Sequence, residues 1–212
     1  MKNAVNRDIP EQFLINNYEL YQGKYYMDGK FFQKAAPKSR PFVKPVESKV
    51  VKSIKEACEK IGVHDGMTVS FHHELRNGDY VMSMVAKVLV EELGVRDLNI
   101  AATSLGDAQD LIADYIEAGY VTGIQTSGIR GRVGEVVSAG KLKTPAIIRS
   151  HGGRPRAISA GEVHIDIAFM AAASSDKQGN SKGTGGKNNF GSMAMPLMIP
   201  DTLITLSLSL IH

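Results

Sequence analysis

Only one cysteine, Cys58, stands in the 212 residues, and tryptophan is absent. A lone thiol excludes an intrachain disulfide and fits a reducing compartment. Cys58 falls on the apolar face of a predicted helix, which points to an inert buried thiol rather than a nucleophile. No run is long and apolar enough to span a bilayer, and the opening M-K-N-A-V-N-R-D-I-P lacks the apolar core of a secretory signal. The expectation is a soluble, cytoplasmic protein with no membrane partner. The formal net charge of +3 is small and scattered, which argues against nucleic acid as a partner. A G-x-S-x-G elbow is missing, and Glu74, Glu135 and Glu162, the carboxylates nearest the candidate loops, carry no catalytic signature. What the chain does have is 43% hydrophobic residues, enough for one sizeable core, and 21 glycines, many of them in loops.

The organising stretch is G-M-T-V-S-F-H-H-E-L-R-N-G-D, Gly66 to Asp79. Met67 to Phe71 reads as a buried strand, followed by a polar loop, with Asp79 placed to cap the next helix. Before it, residues 1–45 read as an extension and linker. Tyr25 to Phe32 around Asp28-Gly29 suggests a hairpin, and Pro37 to Pro45 a linker. From Val50 the spacing predicts helices over Val50–Ile61, Val81–Leu93 and Leu111–Ile116, each stopped by a glycine (Gly62, Gly94, Gly119). Strands are predicted over Leu98–Thr103, Val121–Gln125, Ala146–Arg149 and Val163–Met170. This alternation defines an α/β domain over residues 46–212: a mostly parallel open sheet with helices on both faces. The Leu/Ser alternation from Leu203 has no closing helix after it, and the expectation is a truncated chain.

Three loops carry candidate chemistry. His72, His73, Arg76, Asn77 and Gly78 follow the first strand, where ligands bind in open α/β sheets, and supply donors for a carboxylate or oxyanion. A zinc H-E-x-x-H motif would need histidine at Asn77, so a metal is not expected. Arg130 and Arg132 stand among glycines after the third strand, and their guanidinium forks suit a polycarboxylate or phosphate. The plainer reading of both stretches is a solvated surface loop. Gly183 to Gly191 fails as a P-loop, because Ser181 replaces the first glycine and Asn188 follows Lys187. A glycine loop that lets backbone approach a ligand remains, with Gly183, Gly185, Gly186 and Asn188 as its candidates.

The segments Asp65–Asp79, T-S-G-I-R-G-R-V-G (Thr126–Gly134), R-S-H-G-G-R-P-R-A-I (Arg149–Ile158), S-S-D-K-Q-G-N (Ser174–Asn180) and G-T-G-G-K-N-N-F-G-S-M (Gly183–Met193) occur in one order. In that order the chain resembles the citrate lyase alpha chains, within the wider CoA-transferase family. The resemblance implies transfer of an acyl-carrier-protein thioester from acetate to citrate, giving citryl-carrier and acetate. It implies beta and acyl-carrier gamma chains as partners. It implies no directly bound cofactor, only a CoA-like phosphopantetheine arm presented by the gamma chain. In CoA-transferases a glutamate attacks the thioester. That glutamate belongs to the second half of the family's tandem architecture, so no catalytic residue is expected in this chain. The loop at Gly183–Gly191 would approach the arm. Two other classes stand beside this reading: a non-catalytic assembly module, and a sugar-phosphate isomerase on a related fold.

Overall fold

The structure is a computed structural model that describes Lys2, Asp8, residues 47–72 and 80–191, and the backbone of Leu203–Ser207. The chain divides into two compact units, Met1–Phe42 and Val43–His212, and the second holds the sheet. The expected hairpin at Tyr25–Phe32 and the cap at Asp79 lie outside the described residues.

Helix α1 is Ile54–Ile61. It starts later than its apolar spacing suggests because Ser53 is the cap: its hydroxyl accepts from the Glu56 amide at 3.0 Å. Val50 lies ahead of that cap and is exposed. Gly62, with φ of 81°, closes the helix in the left-handed conformation. Strand β1 (Thr68–His72) leads to α2 (Val81–Lys87), which continues through a π-helical turn, Val88–Glu92. Then come β2 (Leu98–Ala102), a 3₁₀ turn (Asp107–Gln109), α3 (Leu111–Glu117), β3 (Val121–Thr126) and α4 (Gly131–Ser138). A short β4 (Ile147–Ile148), α5 (Gly153–Ser159), β5 (Ile167–Ala172), β6 (Ser174–Ser175), β7 (Ser181–Lys182) and β8 (Leu203–Ser207) complete the order.

Among the described residues the main sheet has six strands in the order β4-β3-β2-β1-β5-β8, all paired in parallel. Residues of α1 to α4 share one buried cluster with Val69, Phe71, Ile100, Ile124 and Phe169. On the opposite face Ala157 of α5 packs with Val163, Ile165 and Ala168. Helices thus cover both faces, as the alternation predicts. Strand β5 is buried at all six positions, as a central parallel strand should be. Three elements differ from the sequence reading. Helices α4 and α5 form where the sequence reading places no helix, and the strand expected over Val163–Met170 starts only at Ile167. Val163 and Ile165 pack under α5 instead of joining the ladder.

Candidate functional site

The strand order reverses at β1, with β2 on one side and β5 on the other. Crevices at the carboxyl ends of strands at such a switch point are the usual ligand sites of open α/β sheets. His72 is the last residue of β1 and lies in register with Met170 of β5. Its Nδ1 shares a 2.5 Å hydrogen bond with the Thr103 hydroxyl just past β2. The Thr103 carbonyl in turn accepts from the Ser127 amide at 3.1 Å, so the ends of β1, β2 and β3 are tied through one threonine. Beneath His72, Phe71 stacks on Phe169 with ring centroids 5.8 Å apart. The other four residues expected in this loop, His73, Arg76, Asn77 and Gly78, lie outside the described residues.

The two arginines of the third loop have different surroundings. Arg130 is exposed at the N-cap of α4 and makes no ion pair among the described residues. Arg132, two residues on, is held by Asp114 at 2.6 Å and Glu117 at 2.9 Å, both on α3. Those carboxylates stabilise its protonated form and occupy the fork that an anion would use. Arg132 therefore reads as a clamp between helices, whereas Arg130 is exposed and unpaired among the described residues.

The motif S-S-D-K-Q-G-N forms a hairpin at the end of β5. Ser174 pairs with Lys182 and Ser175 with Ser181. The Asp176 carboxylate accepts from the amides of Gln178 and Asn180 and from the Asn180 side chain. These bonds, the Asn180 side chain foremost, hold its carboxyl below the usual range. The glycine loop folds back on this hairpin: Ser174 donates to the Thr184 carbonyl at 2.7 Å. A Cβ on Gly186 would collide with the Ala173 carbonyl, and one on Gly183 with the Gly191 carbonyl and the Phe190 ring. These two glycines serve the loop's own packing. Gly185 and Asn188 are on its exposed side. Since Ala173 directly follows β5, the loop and His72 stand at the ends of neighbouring strands.

A buried arginine lies outside the set of residues expected at the site. Arg154, in the first turn of α5, is 4% exposed; its Nη2 donates to Ser70 Oγ at 2.8 Å and to the Ala101 carbonyl at 2.9 Å. The spacing Arg154, Ala157, Ile158 puts it on the inner helical face, the one sequence signal that marks it. Its neighbour Arg149 donates to Gln125 at 2.8 Å. Glu162, one of the carboxylates near the candidate loops, is engaged by Arg156 at 2.6 and 2.7 Å at the surface. Cys58 is fully buried and burial pushes its thiol up to about 11, so it is no nucleophile. A separate cleft between Asn99, Gly123, Gln125 and Thr144 is lined by no titratable side chain.

This architecture defines an α/β domain with candidate residues at the carboxyl edge of a parallel sheet, beside its switch point. The model of the citrate lyase alpha subunit family matches residues 47–206, and the chain belongs to that family. The citrate lyase alpha chain of Haemophilus influenzae is 41% identical over 171 residues, 80% of this chain and 34% of the relative. That of Klebsiella pneumoniae is 43% identical over 147 residues, 69% of this chain and 29% of the relative. This chain spans about a third of the length of the curated relatives it matches. A Streptococcus mutans crystal structure, described as the alpha subunit of citrate lyase in complex with citrate, superposes with a TM-score of 0.76 at 40% identity. It covers 97% of this chain and 40% of that one.

Proposed function

We propose that this chain forms the citrate-facing part of a citrate:acyl-carrier-protein transferase, the alpha subunit of citrate lyase. The observation that carries the reading is the close likeness, in fold and sequence, to an alpha subunit described with citrate. In this reading His72 and Arg130, with His73, Arg76, Asn77 and Gly78, hold citrate carboxylates or the developing oxyanion. Gly185 and Asn188 meet a phosphopantetheine arm that a gamma chain presents, and that arm supplies the thioester. Acetate leaves as citrate takes its place on the carrier, and a beta chain cleaves the citryl product. The glutamate expected to attack the thioester is supplied from beyond the residues described.

A transferase assay tests this. Purified chain is mixed with acetylated carrier protein and citrate, and acetate release is followed, alone and with the remainder of an alpha chain added. Silence alone with release on complementation is the expected result. Release by the chain alone would place the nucleophile within these residues. Binding to beta or gamma chains without rescue would favour an assembly module.

A further inference from the structure

Arg132 and Arg156 are each matched by carboxylates at the surface. Arg154 is different: it is buried, and among the described residues no carboxylate pairs with it and its Nη1 has no hydrogen-bond partner. Burial lowers its pKa to about 10, which leaves it charged at neutral pH. Taking a guanidinium out of water without a counter-ion is costly, and an apolar side chain would fill such a place more cheaply. Its position gives a reason to keep it. Ser70 is two residues before His72 on β1, and Ala101 two before Thr103 on β2, so Arg154 joins the two strands one step below the His72–Thr103 bond. Two residues of strand put it about 7 Å from that bond.

We infer that Arg154 is a positioning residue: it locks β1 to β2 beneath His72, and its charge, paired with no carboxylate among the described residues, makes that edge favour an anionic ligand. The identity of the ligand as citrate rests on the function proposed above. A unit charge about 7 Å away, at an effective dielectric near 20, corresponds to a factor of about 50 in affinity for one anionic group, and solvent reduces it toward about 10.

The test is calorimetric titration of the purified chain with citrate, and in parallel with inorganic sulfate, for the wild type, Arg154→Met, Arg154→Lys and Ser70→Ala. Expected is a loss of tenfold or more in citrate affinity for Arg154→Met and recovery to within a few-fold by Arg154→Lys. Ser70→Ala, which removes one of the two strand contacts but no charge, should lose clearly less than Arg154→Met. Wild-type affinity in Arg154→Met overturns the inference. So does a loss as large in Arg154→Lys and Ser70→Ala as in Arg154→Met, the mark of a purely structural role. If the wild type ignores citrate, the citrate reading fails and sulfate decides for Arg154: binding lost in Arg154→Met upholds it, and indifference of the wild type to both anions overturns it. Should Arg154→Met not fold, the Nε–H signal of Arg154 in the wild type, assigned by its loss in Arg154→Lys, is followed by NMR. A shift on adding either anion supports the inference, and an unmoved signal overturns it.

Discussion

Arg130 and Arg132 are two residues apart and would be interchangeable in a motif, yet only one of them is spent. Arg132 bridges to Asp114 and Glu117, whereas Arg130 stands exposed at the N-cap of α4 with no ion pair among the described residues. Under the proposed function, Arg130→Ala should weaken citrate binding about tenfold, the loss of one charge-assisted hydrogen bond. Arg132→Ala should leave citrate affinity within about twofold and instead lower the melting temperature slightly, because exposed ion pairs contribute little. Isothermal titration beside thermal melts separates the two, and the reverse pattern would exchange their roles. No spacing rule tells these arginines apart. The distinction depends on where α3 places its carboxylates, a tertiary fact. Arg154 is hidden for the same reason: an arginine beside Pro155 in a run of glycines reads as a surface cation until Ser70 and Ala101 are seen beneath it.

At the scale of elements, what is legible in the sequence follows from local periodicity. Helices α1 to α3 and strands β1 to β3 stand where apolar spacing and β-branched runs place them, to within a few residues. Helix α5 is not legible because Gly152, Gly153 and Pro155 oppose a helix locally. Pro155 is nevertheless tolerated in a first turn, where its missing N–H would have had no intrahelical partner. The π-helical turn after α2 is joined to α3 by a side-chain contact no pattern predicts: the buried Tyr115 donates to Glu91 at 2.8 Å, and burial with that carboxylate raises its pKa. Tyr115→Phe should cost about 1 kcal/mol, since Glu91 is half exposed and regains water once the phenol is gone. Urea melts would show a lower midpoint with an unchanged slope. The glycine loop admits a sharper test, because the Ala173 carbonyl occupies the space a Gly186 side chain would need. Gly186→Ala should destabilise the chain by roughly 1–3 kcal/mol through overpacking. Gly185→Ala would act through its positive φ of 86° rather than through contact with the main sheet.

At the scale of the domain, the carboxylates held below their ordinary values among the described residues sit in local structure and not in the sheet. Glu56 is held below its ordinary value of 4.5 by Lys60 and the Lys52 amide. Glu162 is held below 4.5 by Arg156. Asp176 is held below 3.8 by the Asn180 side chain and by turn amides. For each, the folded pKa lies under the unfolded one, so the unfolded chain binds the proton more readily. The stability they contribute is fully present above the unfolded values and is lost as pH falls through the folded ones. Melting temperature should therefore hold from neutral pH down to about 5 and decline below about 4.5, where the first glutamates protonate in the unfolded chain. The three groups are exposed, so the decline should be gradual and shallow in salt. Asp176→Asn separates one of them from the rest: the turn keeps a side-chain acceptor while losing its charge, and the acid slope should flatten.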